Sequence, residues 1–112
     1  MEYFTDTELS CNLCGKLIID PIFRKKLNDA RNRADLPFVI TSGYWCPTHN
    51  QEIGSTSTNH TTGKAADILC RNAQHRFIIA KSLLNAGMLG IGIGKTFIHC
   101  DINRLTPGIW TY

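Results

Sequence analysis

His60-Thr61-Thr62-Gly63-Lys64-Ala65-Ala66-Asp67 and Phe97-Ile98-His99-Cys100-Asp101 are the two stretches from which the rest of the chain can be organised. The first begins as a polar loop and passes at Lys64 into KAADILC, a candidate strand. Gly63 permits the turn between loop and strand, and the small Ala65 and Ala66 let that strand pack closely. The second stretch lies in TFIHCDI, residues 96–102, another β-rich run, which follows the glycine-rich GIGIG. Side chains alternate along a strand, so His99 and Asp101 share one face while Ile98 and Cys100 point to the opposite layer. Polar chemistry on one face and apolar side chains on the other imply a sheet that carries a site on one side and is covered by helices on the other.

Working outward, Asp20-Pro21 reads as an N-cap followed by proline at the first helical position, and Phe23, Leu27, Ala30 and Ala34 recur at helical spacing. These residues predict a helix over 21–34. Pro37 to Thr41 predicts a short strand that stops at Ser42-Gly43, and Ala73 to Ala86 predicts a second helix with Gly87 as its stop. Helices and short strands without a βαβ repeat give an α+β class with a small, mainly antiparallel sheet and flanking helices. The 112 residues are enough for one domain, 1–112. At 43% hydrophobic and 19% charged residues, the chain can bury a core and falls outside the disordered class.

Twelve Lys and Arg against nine Asp and Glu leave a net charge of +3, with no basic run of the kind nucleic acid attracts, although a polyanionic partner is compatible. No run of about eighteen apolar residues predicts a membrane span, and the start MEYFTDTELS lacks the features of a signal peptide. The expectation is synthesis in the cytoplasm. Five cysteines, an odd number, argue against a complete disulfide framework.

The chemistry centres on His60, Asp67 and His99. Zinc accepts imidazole nitrogen and carboxylate oxygen, and a catalytic zinc has three protein ligands with the fourth position left for water. Asp101 can orient one ligand from behind or act as a proton carrier. GIGIG leads into a β-rich run and does not open a helix as a phosphate loop does, which excludes nucleotide binding on that motif. Cys100 has no base on its own face and is expected in the core. Cys11 and Cys14 have the spacing of half a zinc knuckle that Cys46 or Cys70 would complete, but the expected reading is buried thiols or one disulfide. His49 is either beside the cleft or solvated, and His75 is expected to be solvated.

Ser42-Gly43-Tyr44 with Cys46-Pro47 and Asn50, the H-x-x-G-x-A-x-D run from His60 to Asp67, Gly90-Ile91-Gly92, and Phe97 to Asp101 together resemble peptidase family M15. Within it, the chain is similar to zinc D-Ala-D-Ala carboxypeptidases and to short phage peptidoglycan peptidases. The resemblance is collinear over roughly residues 8 to 112. It implies the hedgehog/DD-peptidase α+β fold and one catalytic Zn2+ held by His60, Asp67 and His99. It also implies hydrolysis of peptide bonds in bacterial peptidoglycan stems, and with the charge and apolar pattern above the expectation is a monomer with neither nucleic-acid binding nor membrane insertion. Asp101 is the expected catalytic carboxylate, and Tyr44 and Trp45 are the expected substrate contacts. Trp45 stands where the family often has an arginine associated with recognition of a substrate carboxylate, and Thr96 stands where several branches have a general base. The missing arginine favours an internal stem-peptide bond, cut after the host membrane is breached as by a phage lysis enzyme. The alternatives are carboxypeptidase action and a non-catalytic zinc-stabilised module that binds cell wall or protein.

Overall fold

The computed structural model describes residues 2–11, 13–46 and 60–112. Its elements in chain order are α1 (Asp6–Leu9), α2 (Pro21–Ala34), β1 (Ile40–Ser42), β2 (Ala65–Leu69), α3 (Ala73–Asn85), β3 (Gly90–Ile93), β4 (Phe97–Asp101) and β5 (Gly108–Thr111). Among the described residues the strands form one sheet in the order β1-β2-β4-β3-β5. The pairings β1–β2, β2–β4 and β3–β4 are antiparallel, and β3–β5 is parallel. The architecture is α+β with a mixed, mostly antiparallel sheet, as the sequence predicts.

Helix α2 starts where Asp20 accepts hydrogen bonds from the backbone N–H of Ile22 (2.8 Å) and Phe23 (3.0 Å), with Pro21 in the first turn. It ends at Asp35, whose φ of 53° takes the chain out of the helix. Helix α3 is capped by Asn72, which accepts from His75 N–H at 2.8 Å, and is followed by Gly87 at φ 97°. The two helices pack together and cover one face of the sheet. There Phe23, Leu27 and Ala30 of α2 and Ile79 and Leu83 of α3 close over Ala66, Ile68, Ile91, Ile98 and Cys100. Burying a side chain of the Leu or Ile type contributes about 1.5–3 kcal/mol, so this layer fixes the sheet against the helices and leaves the other face for the site.

Three expectations change. The strand predicted over 37–41 begins at Ile40, because Pro37 has no N–H for a ladder and pairing enters through Leu69 N–H donating to Val39 C=O (2.8 Å). The GIGIG run does not simply precede a strand; its first four residues are β3, a strand between β4 and β5. Helix α1 and strand β5 were not predicted. A signal for α1 was present in Thr5-Asp6-Thr7-Glu8, since Thr5 and Glu8 form a capping box. Strand β5 follows Pro107 and spans only Gly108–Thr111, too short for a periodicity to register, and it depends on β3 for its hydrogen bonds.

Candidate metal centre

The register of the sheet builds the site. Asp67 on β2 lies directly opposite His99 on β4, His99 opposite Gly92 on β3, and Gly92 opposite Trp110 on β5. Two residues along, Ala65, Asp101, Gly90 and Gly108 form the neighbouring row on the same face. Small residues dominate that row, and the space they leave is used. A Cβ on Gly90 would come within 2.6 Å of the Asp101 carboxylate and would strike Arg104 Nε. On Gly92 it would meet Trp110 Nε1 at 2.8 Å and the Tyr112 ring at 2.8 Å. The glycines of GIGIG are therefore the floor on which the site's outer groups rest.

His60 reaches the same face from the turn before β2, where Gly63 has φ 69°. Its Nδ1 is 2.8 Å from the carbonyl oxygen of Gly43. A carbonyl only accepts, so Nδ1 carries a proton toward Gly43, and Nε2 faces Asp67 Oδ1 at 3.5 Å. His99 Nδ1 lies 3.0 Å from the same Asp67 oxygen, and its Nε2 lies 2.6 Å from Asp101 Oδ2. One ligand atom from each of His60, Asp67 and His99 falls within 4.8 Å of the others. All three are well shielded, with side-chain exposures of 6%, 14% and 6%.

This donor set fits a zinc ion. Two imidazole nitrogens and one carboxylate oxygen converge, and each imidazole has its far nitrogen fixed by an acceptor, Gly43 C=O for His60 and Asp101 for His99. Burial pushes the Asp67 carboxyl up, but hydrogen bonds with His60 and His99 outweigh it and hold Asp67 below its ordinary range. Burial pushes His99 down, but its bonds to Asp101 and Asp67 outweigh that and raise it. A metal at the three donors would displace the proton from Nδ1 of His99 and leave Nε2–H on Asp101.

Asp101 is completely buried. It accepts hydrogen bonds from His99 Nε2, from Arg104 Nε at 2.8 Å and from the second Arg104 nitrogen at 2.7 Å. Burial pushes its carboxyl up, and the guanidinium and imidazole reverse this and bring it down to about 2. The ionised carboxylate therefore lies on the side of His99 away from Asp67, bonded to the imidazole nitrogen that does not face the other donors.

Of the two aromatic contacts expected for substrate, Trp45 stacks on His60 with ring centroids 4.0 Å apart and planes at 19°. Tyr44 does not reach this face. It is buried with Cys11 and Cys46, because successive residues of an extended segment point to opposite sides. Trp110, Tyr112 and Arg104 are not among the site residues expected from the sequence. Trp110 lies 5.6 Å from the His99 ring, with the Arg104 guanidinium 4.3 Å from its own ring centre. Their signal was an aromatic pair two residues apart near the end of the chain, meaningless until β5 is paired. Asn50 and His49 lie outside the described residues.

A family profile described as peptidase M15 matches residues 2–101. The chain belongs to the peptidase M15 family. No curated protein matches it. Membership and the convergence of His60, Asp67 and His99 agree on a zinc-dependent peptidase as the class of activity, and among the described residues no helix is long and apolar enough to cross a membrane.

Proposed function

We propose that this M15 peptidase is a zinc-dependent endopeptidase that cuts an internal peptide bond of bacterial peptidoglycan stems, acting as a monomer and, as in phage lysis, after the membrane is breached. His60, Asp67 and His99 would hold the zinc, which when bound polarises a peptide carbonyl and activates water. Asp101 keeps the His99 ring turned so that Nδ1 faces Asp67, and Arg104 keeps Asp101 ionised. Trp45 beside His60 and Trp110 beside His99 offer flat apolar surfaces for a stem peptide. The hedgehog/DD-peptidase architecture is part of this reading.

The observation that carries the internal-bond preference is the commitment of Arg104. A carboxypeptidase needs a cation for the terminal carboxylate, best a guanidinium fork. Trp45 supplies none, and the Arg104 fork is already spent on Asp101, with two of its nitrogens within 2.8 Å of that carboxylate. An endopeptidase needs no such partner. The same commitment of Asp101 favours the competing reading, a zinc-stabilised binding module, because it removes a carboxylate from proton transfer.

Incubating the purified protein with bacterial peptidoglycan, with and without chelator, separates these readings. Release of new free amines that chelator stops and zinc restores is the expected result; binding without release would establish the module. Mass spectrometry of digested muropeptides of defined structure then locates the bond, and free D-alanine as the only product would replace the endopeptidase with a carboxypeptidase.

A further inference from the structure

Away from the histidine face, Cys11, Cys14 and Cys46 bring one sulfur each to within 4.8 Å of the others. Cys11 and Cys46 are buried and their sulfurs lie 3.6 Å apart; Cys14 is exposed. The backbone around the first two closes as a tight loop, with Gly15 N–H donating to Cys11 C=O and Cys11 N–H to Lys16 C=O, both at 2.8 Å. Gly15 completes the loop at φ 71°, a left-handed conformation that suits glycine. Cys-x-x-Cys-Gly in such a loop turns two thiols toward one point, and Cys46 comes from 32 residues beyond Cys14 to join them. Cys70, the other candidate to complete the pair, lies instead in the main core.

We propose that Cys11, Cys14 and Cys46 bind a second zinc ion, structural in role and separate from the histidine site. Thiolate is the ligand zinc favours in structural sites, and three converging sulfurs exceed what one disulfide would use. A fourth ligand is needed for a closed tetrahedral shell. The sequence has His49 three residues after Cys46, repeating the spacing of Cys11 and Cys14, but His49 lies outside the described residues and the ligand set assigned is the three cysteines.

The position of this site gives it a use. Cys46 ends the segment Gly43–Cys46, which contributes the carbonyl that fixes His60 and the indole that stacks on it. That segment is joined to the N-terminal region by Tyr44 N–H donating to Leu9 C=O at 2.8 Å, and Gly43 sits so close to Leu9 that a Cβ would strike its carbonyl oxygen. A metal bridging Cys46 to Cys11 and Cys14 would tie the segment down at its other end. The thiolate zinc thus holds the backbone from which His60 takes its orientation.

Metal analysis and cobalt spectroscopy test this. In the His60→Ala/His99→Ala variant, which removes two ligands of the other site, one zinc per chain is expected to remain, and Cys11→Ser/Cys46→Ser in that background should abolish it. Cobalt supplied to the unmutated protein should give thiolate-to-cobalt charge-transfer absorption, a readout that needs no substitution to fold. Wild-type protein with one zinc and that absorption would uphold the thiolate site while overturning the histidine one. Absence of the absorption, or a native mass two hydrogens lighter from a Cys11–Cys46 disulfide, would overturn the proposal.

Discussion

Replacing Asp101 by Asn tests whether this carboxylate orients a ligand or carries a proton. The substitution keeps the shape of the side chain and removes its charge, turning one of two acceptor oxygens into a donor that faces either His99 Nε2–H or the Arg104 guanidinium. One of the three charge-assisted bonds must be lost or reversed. Loss of a carboxylate behind a metal-bound histidine typically costs 10–100-fold in metal affinity, about 1.4–2.7 kcal/mol. Zinc affinity measured by competition with a chromophoric chelator should fall within that range. Once the variant is saturated with zinc, release of free amines from peptidoglycan should stay within about tenfold of the parent under the proposed positioning role, whereas loss of a general acid–base catalyst would cost about 10²–10⁴-fold. Unchanged zinc affinity with turnover reduced a hundredfold or more would refute the positioning role and return Asp101 to the proton path.

Arg104→Met should leave Asp101 as a buried charge without its guanidinium and destabilise the metal-free fold by about 3 kcal/mol, measured by denaturant titration. Gly90→Ala should cost about 1–3 kcal/mol and lower the thermal midpoint by several degrees, because the new methyl group meets both carboxylate oxygens of Asp101, at 2.6 and 2.7 Å. The Asp101 carboxyl is depressed from 3.8 to about 2, so its contribution to stability is present above pH 3.8 and is lost as the pH falls through about 2. In chelated protein, a denaturant midpoint that drops over this interval, by an amount on the order of 2 kcal/mol that Asp101→Asn removes, is the expected result.

What the sequence made legible follows from which signals are local. The α2 helix could be read because Asp20, Pro21 and the Phe23-Leu27-Ala30-Ala34 stripe sit within one element, and the three donors that the fold brings together could be read because His60, Asp67 and His99 are chemically distinctive residues in ordered motifs. The shared face of His99 and Asp101 followed from strand alternation alone. The partner of Asp101 could not be read, because the choice between a water molecule and Arg104 depends on where the chain goes after β4. Tyr44 and Trp45 could not be told apart either, since only the packing of Cys11 and Cys46 decides which of two adjacent rings is drawn inward. Strand β5, and with it Trp110, exists only because β3 offers a parallel edge.

The position of the ligand strands within the sheet also ranks its parts by how readily they open. Asp67 and His99 belong to β2 and β4, which are adjacent and interior, while β1 and β5 form the two margins. A metal bound to those interior strands adds its binding free energy to every opening that parts them and nothing to fraying at the margins. Hydrogen exchange in the metal-loaded protein would accordingly be slowed most at the amides between β2 and β4. The outermost strand, which carries Trp110, would retain its own faster breathing, so that one wall of the cleft is able to yield while the ligand pair stays rigid.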